Sequence, residues 1–209
     1  MRLYLSSQRL GTAPGELVAL MRDRVRVGVI ANAADDLGNG KREERLRREV
    51  ADLEAIGLKP SELDLRRHFE DTAGLLSELG RVDALWVLGG NVLALRTALA
   101  ASGADAAIGR RLAEDSIVYA GYSAGACVLG PPEALSVATP SGNLPGYPQE
   151  IVATGIGLLP YAIVPHYVDR ADIGVSGLAR HYIGIHVPFI ALRDGQALVV
   201  DGEDLRVVE

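Results

Sequence analysis

Residues 118–130 read VYAGYSAGACVLG, an apolar run that reaches a serine with glycine two places to either side and returns at once to small apolar residues. Gly121-Tyr122-Ser123-Ala124-Gly125 fits the pattern G-x-S-x-G. That pattern carries chemistry where it joins a strand to a helix. Here residues 116–122, SIVYAGY, predict a strand that ends at the serine, and a helix is expected beyond it. A nucleophile on such a turn is held in a strained backbone conformation with its hydroxyl exposed. Small neighbours let the turn close and a substrate approach, and the N–H of Ala124 points where a carbonyl oxygen would become negative. A close-packed turn without chemistry would use similar residues, so the rest of the chain has to supply partners.

Outward from the serine, short apolar runs alternate with amphipathic stretches. Residues 2–6 (RLYLS), 24–34 (RVRVGVIANAA), 63–68 (LDLRRH) and 84–90 (ALWVLGG) read as further strands. Pro14 opens a helix through GELVALM. Residues 41–56 put Leu46, Val50 and Leu53 on one helical face, and the charge run KREERLRREV reads as the solvated face of that helix. Residues 72–79 and 91–102 predict two more helices, and DDLGNG at 35–40 a loop. Repeated strand–helix alternation predicts an α/β fold: one domain over residues 1–209, a largely parallel sheet flanked by helices. Residues 131–150, rich in proline and glycine, read as a long surface loop. Residues 188–209 read as a C-terminal β-hairpin with DGED as its turn.

The 209 residues are 48% hydrophobic and 23% charged, with a formal net charge of -6. A core can be buried, and nothing in the charge balance favours nucleic acid or an anionic membrane as partner. The single cysteine, Cys127, excludes an internal disulfide and suits a reducing compartment. It is read as a small buried apolar residue. MRLYLSS turns polar too early for a signal peptide, and no apolar run approaches the ~20 residues that span a bilayer. The expectation is a cytoplasmic protein without cofactor or metal, with a homodimer left open.

A serine at its free pKa is a poor nucleophile and needs a base. Of the four histidines, His166 stands out: AIVPHYVD is a short apolar strand broken at Pro165, and α/β folds build sites at strand ends. His68 ends a predicted strand, and His181 and His186 lie in or near a helical stretch. The orienting carboxylate is Asp194, opening a turn with Gly195, with Glu133 and Glu150 as weaker competitors. Gly89 and Gly90, at a strand end before a helix N-terminus capped by Asn91, offer a second oxyanion donor. The order serine, histidine, acid departs from that of the α/β-hydrolases. Gly155-Ile156-Gly157, with Pro160 following, is not a dinucleotide fingerprint.

LGGNVLALRTAL, YAGYSAGACVLGP, GIGLLPYAIVPHY and FIALRDGQALVVDG, in that order, resemble the aspartyl dipeptidase and cyanophycinase family of serine peptidases over nearly the whole chain. The resemblance implies a class I glutamine amidotransferase-like fold, with Ser123 as nucleophile and His166 as base and then acid. Asp194 falls where the dipeptidase carries glutamate, one methylene longer. The amides of Gly90 and Ala124 would hold the oxyanion. The expected activity is hydrolysis of dipeptides or short peptides, an N-terminal aspartate among the candidates. The rivals are an amidohydrolase or esterase on a non-peptide substrate and a non-catalytic binding module. Asn91, Tyr122, Arg170 and Arg193, each beside a proposed site segment, are the candidate substrate contacts.

Overall fold

The strand at the serine is the fourth position of a seven-stranded sheet. The computed structural model describes residues 1–138, 144–168 and 176–209, with Asn39 described through its backbone alone. In chain order the sheet uses β1 (Arg2–Ser6), β2 (Arg26–Ile30), β3 (Lys59–Glu62), β4 (Ala84–Val87), β5 (Val118–Tyr122), and then β8 (Ala197–Asp201) and β9 (Asp204–Val208). Between them, β6 (Ala162–Val164) and β7 (Phe189–Ala191) form a separate parallel pair. The spatial order is β3-β2-β4-β5-β1-β8-β9, parallel from β3 through β1 and antiparallel over the last two strands.

Both faces of the central strands β1, β2, β4, β5 and β8 are covered, which is why they are apolar at most positions, whereas the edge strands β3 and β9 stay partly exposed and more polar. The pleat sends Leu3, Leu5, Leu85, Val87 and Tyr119 to one face and Tyr4, Ala84, Trp86, Val118 and Ala120 to the other. The first face packs against α3 (Thr72–Leu79), α4 (Val92–Ser102), α5 (Ala104–Ala113) and α6 (Ala124–Cys127). The second packs against α1 (Pro14–Met21) and α2 (Asn39–Ala55). The helix α7 (Gly177–Gly184) packs on the β6–β7 pair through Ala179 and Tyr182. The α/β single-domain architecture and the 201–204 hairpin turn agree with the sequence reading. Among the described residues no single helix is long and apolar enough to cross a membrane.

Several elements differ from the sequence reading. Residues 65–68 form a 3-10 turn rather than a strand, and the strand lies earlier, at Lys59–Glu62. Asp64 accepts from the amide of Arg66 at 3.1 Å, and Asn32 Oδ1 accepts from that of Leu65 at 3.2 Å. Those side chains take backbone donors a ladder would need. Pro60 is tolerated because β3 is an edge strand. The strand predicted over 24–34 ends at Ile30, a 3-10 turn occupies Asn32–Leu37, and α2 begins at Asn39, inside the predicted loop. The helix α5 was not anticipated. Gly103, in left-handed conformation at φ 75, breaks it from α4, and the pair bends by 81°. Residues 189–191 pair with β6 and not within the C-terminal hairpin. The predicted loop 131–150 contains a 3-10 turn at Pro132–Leu135, and its residues 139–143 lie outside the described residues.

The α2 charge run is not simply a solvated face. Glu49 is fully buried and accepts from the Trp86 indole at 3.0 Å and the Tyr122 hydroxyl at 3.1 Å. Arg42 is buried among Asp35, Glu62 and Asp64. A buried charge is stable only when so paired.

Candidate active site

The sheet register assembles the site. Val87 of β4 pairs with Gly121 of β5, so the turn after β4, carrying Gly89 and Gly90, emerges beside Ser123. Ser6 of β1 pairs with Tyr122 on one side and Ala197 on the other. Because β8 runs antiparallel to β1, the residues just before β8, Asp194 among them, arrive at the same end as the residues just after β5. In the small sheet Val164 pairs with Ala191, so His166 and Asp194 leave their strands side by side.

Ser123 has φ 49 and ψ -113, a conformation disfavoured for a side-chain-bearing residue and typical of strain held at a site. Its surroundings explain the glycines. A Cβ on Gly125 would lie 2.2 Å from the carbonyl oxygen of Val87, and one on Gly121 2.9 Å from the same atom. The buried Tyr119 hydroxyl donates to the Gly125 carbonyl at 2.6 Å and anchors the turn.

His166 Nε2 stands 3.2 Å from Ser123 Oγ, and His166 Nδ1 2.6 Å from Asp194 Oδ1. A carboxylate only accepts, so Nδ1 carries the proton and Nε2 is free to accept from the serine. His166 itself has φ 54 and is held by its backbone amide, which donates to Ser7 Oγ at 2.7 Å. The Ser7 hydroxyl in turn donates to Asp194 Oδ1 at 2.9 Å. Sequence reading passed over Ser7; its only signal is a polar residue just beyond the end of an apolar strand.

Gly90 has φ 145, and a Cβ there would lie 2.3 Å from the Ala33 carbonyl oxygen. No backbone carbonyl among the described residues accepts from the amides of Gly90 or Ala124. Asn91 caps α4, accepting from the amides of Leu93 and Ala94 at 3.1 and 3.0 Å. The positive end of that helix therefore sits beside the serine.

Two cavities flank Ser123, and Ser123 and Gly90 line both. One is a cleft of about 540 Å³ that also borders His166 and carries Arg9, Arg45 and Arg48. The other, about 190 Å³, borders Ala124 and is walled by Cys127, Ala134, Leu135, Val137, Leu178 and Tyr182. Cys127 is partly exposed on this wall instead of fully buried as expected. Burial in its apolar surroundings pushes its thiol pKa up to about 12, so it stays protonated.

The remaining sequence candidates fall elsewhere. His68 is buried in its 3-10 turn near Asp71 and Glu78, and His181 meets Ser136 at 2.9 Å. His186, Glu133 and Glu150 are exposed and border neither cavity beside Ser123. Tyr122 contributes to the cleft wall, but its hydroxyl is committed to Glu49. The Arg193 side chain is exposed and borders neither cavity, and Arg170 lies outside the described residues. Of the arginines that do border the cleft, Arg45 and Arg48 come from the α2 segment read as solvated, and Arg9 from the β1–α1 loop. Among the described residues no cluster of three or more His, Cys, Asp or Glu is arranged to hold a metal.

The sequence profile of peptidase family S51 matches residues 34–208. Two solved structures are similar over the whole fold. A candidate peptidase E protein from Listeria monocytogenes EGD-e is 21% identical with a TM-score of 0.74, covering 100% of this chain and 98% of that one. A peptidase from an acI-B1 Actinobacterium is 18% identical with a TM-score of 0.70, covering 99% of this chain and 86% of that one.

Proposed function

The chain belongs to peptidase family S51, a family of serine-type peptidases, and from that premise we propose that it hydrolyses short peptides, dipeptides foremost, through an acyl-enzyme on Ser123. Ser123 Oγ attacks the scissile carbonyl carbon as His166 Nε2 takes its proton. The carbonyl oxygen becomes an oxyanion between the amides of Gly90 and Ala124. The C–N bond then breaks as His166 returns the proton to the leaving nitrogen, and the amine departs. Water, deprotonated by His166, attacks the ester, and Ser123 Oγ leaves with that proton. Asp194 holds the His166 tautomer and stabilises the imidazolium.

The observation that carries this reading is the unbroken line of contacts, Asp194 to His166 at 2.6 Å and His166 to Ser123 at 3.2 Å, on a strained strand–helix turn. The test is a dipeptide library that includes Asp-X members, run beside Ser123→Ala with free amino acids as readout. Cleavage that vanishes in the variant is the expected result. Failure of a serine-directed phosphonate to label Ser123 in the folded protein would overturn it.

A further inference from the structure

The two cavities beside Ser123 are chemically opposite, and the position of His166 orders them along a peptide. The leaving nitrogen must face His166 Nε2, which gives it the proton, so the residue released continues into the cavity that His166 borders. That is the arginine-lined cleft. The acyl residue continues away from the histidine, on the Ala124 side, into the pocket walled by Cys127, Leu135 and Tyr182.

We infer that the cleft captures the α-carboxylate of the leaving residue, with Arg45 as its principal ligand, and that the Cys127 pocket takes an apolar side chain from the acyl residue. This assignment rests on the serine-peptidase reading above. In a dipeptide the carboxylate carbon lies two bonds, roughly 2.5 Å, from the scissile nitrogen. Its cation must therefore stand close to the serine. The Arg45 guanidinium is 3.5 Å from the carbonyl oxygen of Gly89, whose neighbour Gly90 is the oxyanion donor. Arg9 is engaged by Glu49 and Asp52, and Arg48 lies 3.8 Å from Glu49. Among the described residues Arg45 pairs with no carboxylate, and it is the guanidinium left for the substrate.

The acyl pocket has the opposite character. Among the described residues no charged side chain lines it. The Tyr182 hydroxyl is already donated to the Ala134 carbonyl at 2.6 Å, and the Cys127 thiol to that of Ile163 at 3.4 Å. Among the described residues, an aspartate side chain placed there would lose its water without gaining a cation. A leucine or valine side chain would bury apolar surface instead.

The experiment compares Leu-Ala, Leu-Ala amide, Gly-Ala and Asp-Ala as substrates of the wild type, Arg45→Gln and Cys127→Phe, with phosphonate labelling of Ser123 run in parallel. Expected is a kcat/KM for Leu-Ala roughly 10- to 100-fold above that for its amide, the range for one charge-assisted hydrogen bond pair. Arg45→Gln should erase that difference by lowering kcat/KM for the acid far more than for the amide. Cys127→Phe, which fills the pocket, should lower kcat/KM for Leu-Ala by a larger factor than for Gly-Ala. The acid–amide comparison needs no variant and survives any folding defect. Equal rates on acid and amide with Ser123 labelled would overturn the subsite assignment and leave the peptidase reading intact. Preference for Asp-Ala that is lost in Arg45→Gln would put the arginine on the acyl side and overturn it as well. No cleavage and no labelling would bring down both readings.

Discussion

Asp194 shares one carboxylate oxygen between two donors, the His166 ring at 2.6 Å and the Ser7 hydroxyl at 2.9 Å. Asp194→Asn presents an amide where the imidazole needs an acceptor and invites the wrong tautomer. We expect kcat to fall by about three to four orders of magnitude in steady-state peptide hydrolysis. Near-normal turnover would remove Asp194 from the role. Ser7→Ala is milder, since it leaves the carboxylate in place but frees it and the His166 amide from their shared anchor. A loss of about tenfold is expected, in kcat with KM little changed. An effect on KM alone would mean that Ser7 does not position the histidine. The serine and its elbow could be read from five adjacent residues, because a turn's requirements are local. Ser7 could not, since its partners lie 159 and 187 positions away.

The elbow is a joint between elements, with α6 and the end of β5 pressed against the end of β4. Gly125→Ala would drive a methyl to 2.2 Å from the backbone oxygen of Val87, and neither strand can yield without loss of ladder hydrogen bonds. We expect destabilisation of about 3 kcal/mol or more in denaturant melts, with activity lost. Gly15→Ala in the first turn of α1 is the contrast. Nothing lies within 4 Å of its added Cβ, and alanine should be neutral or stabilising by up to about 1 kcal/mol. If both substitutions behaved alike, close approach would not explain the elbow glycine. The helix α2 shows where pattern reading stops. Leu53 is buried as its periodicity predicts, yet the charged positions divide three ways: Glu49 into the core, Arg42 into a polar network, Arg45 and Arg48 onto the cleft. Charge alone does not say which neighbour a side chain will find.

At the scale of the whole molecule, a buried ionic network ties the ends of β2 and β3 to α2. Burial alone would raise the Asp64 pKa, but hydrogen bonds and charge from Arg66, with Asn32, hold it at about 2. Its folded pKa is depressed, so its contribution is present above the unfolded value of 3.8 and is lost as pH falls through about 2. That contribution is of order 2 kcal/mol. Thermal unfolding followed from pH 5 to pH 2 should show stability falling over this window, with a shallower fall in Asp64→Asn. An unchanged slope would mean that the carboxylate is not held in this way.

Sequence alone determined the elements with strong local periodicity, the α/β class they imply, and the serine turn, because these depend on residues within a few positions of one another. It also singled out His166 and Asp194 as residues at strand ends. Only the tertiary structure decided that those ends meet. That outcome depends on β8 running antiparallel to β1 and on β6 pairing with β7, pairings between segments 25 or more residues apart. The same long-range packing sets a charged helix face beside one wall of the serine and an apolar loop beside the other. Hydrophobic pattern specifies which face of an element is buried, whereas the partner that covers it is chosen by the competition among all the buried faces of the chain.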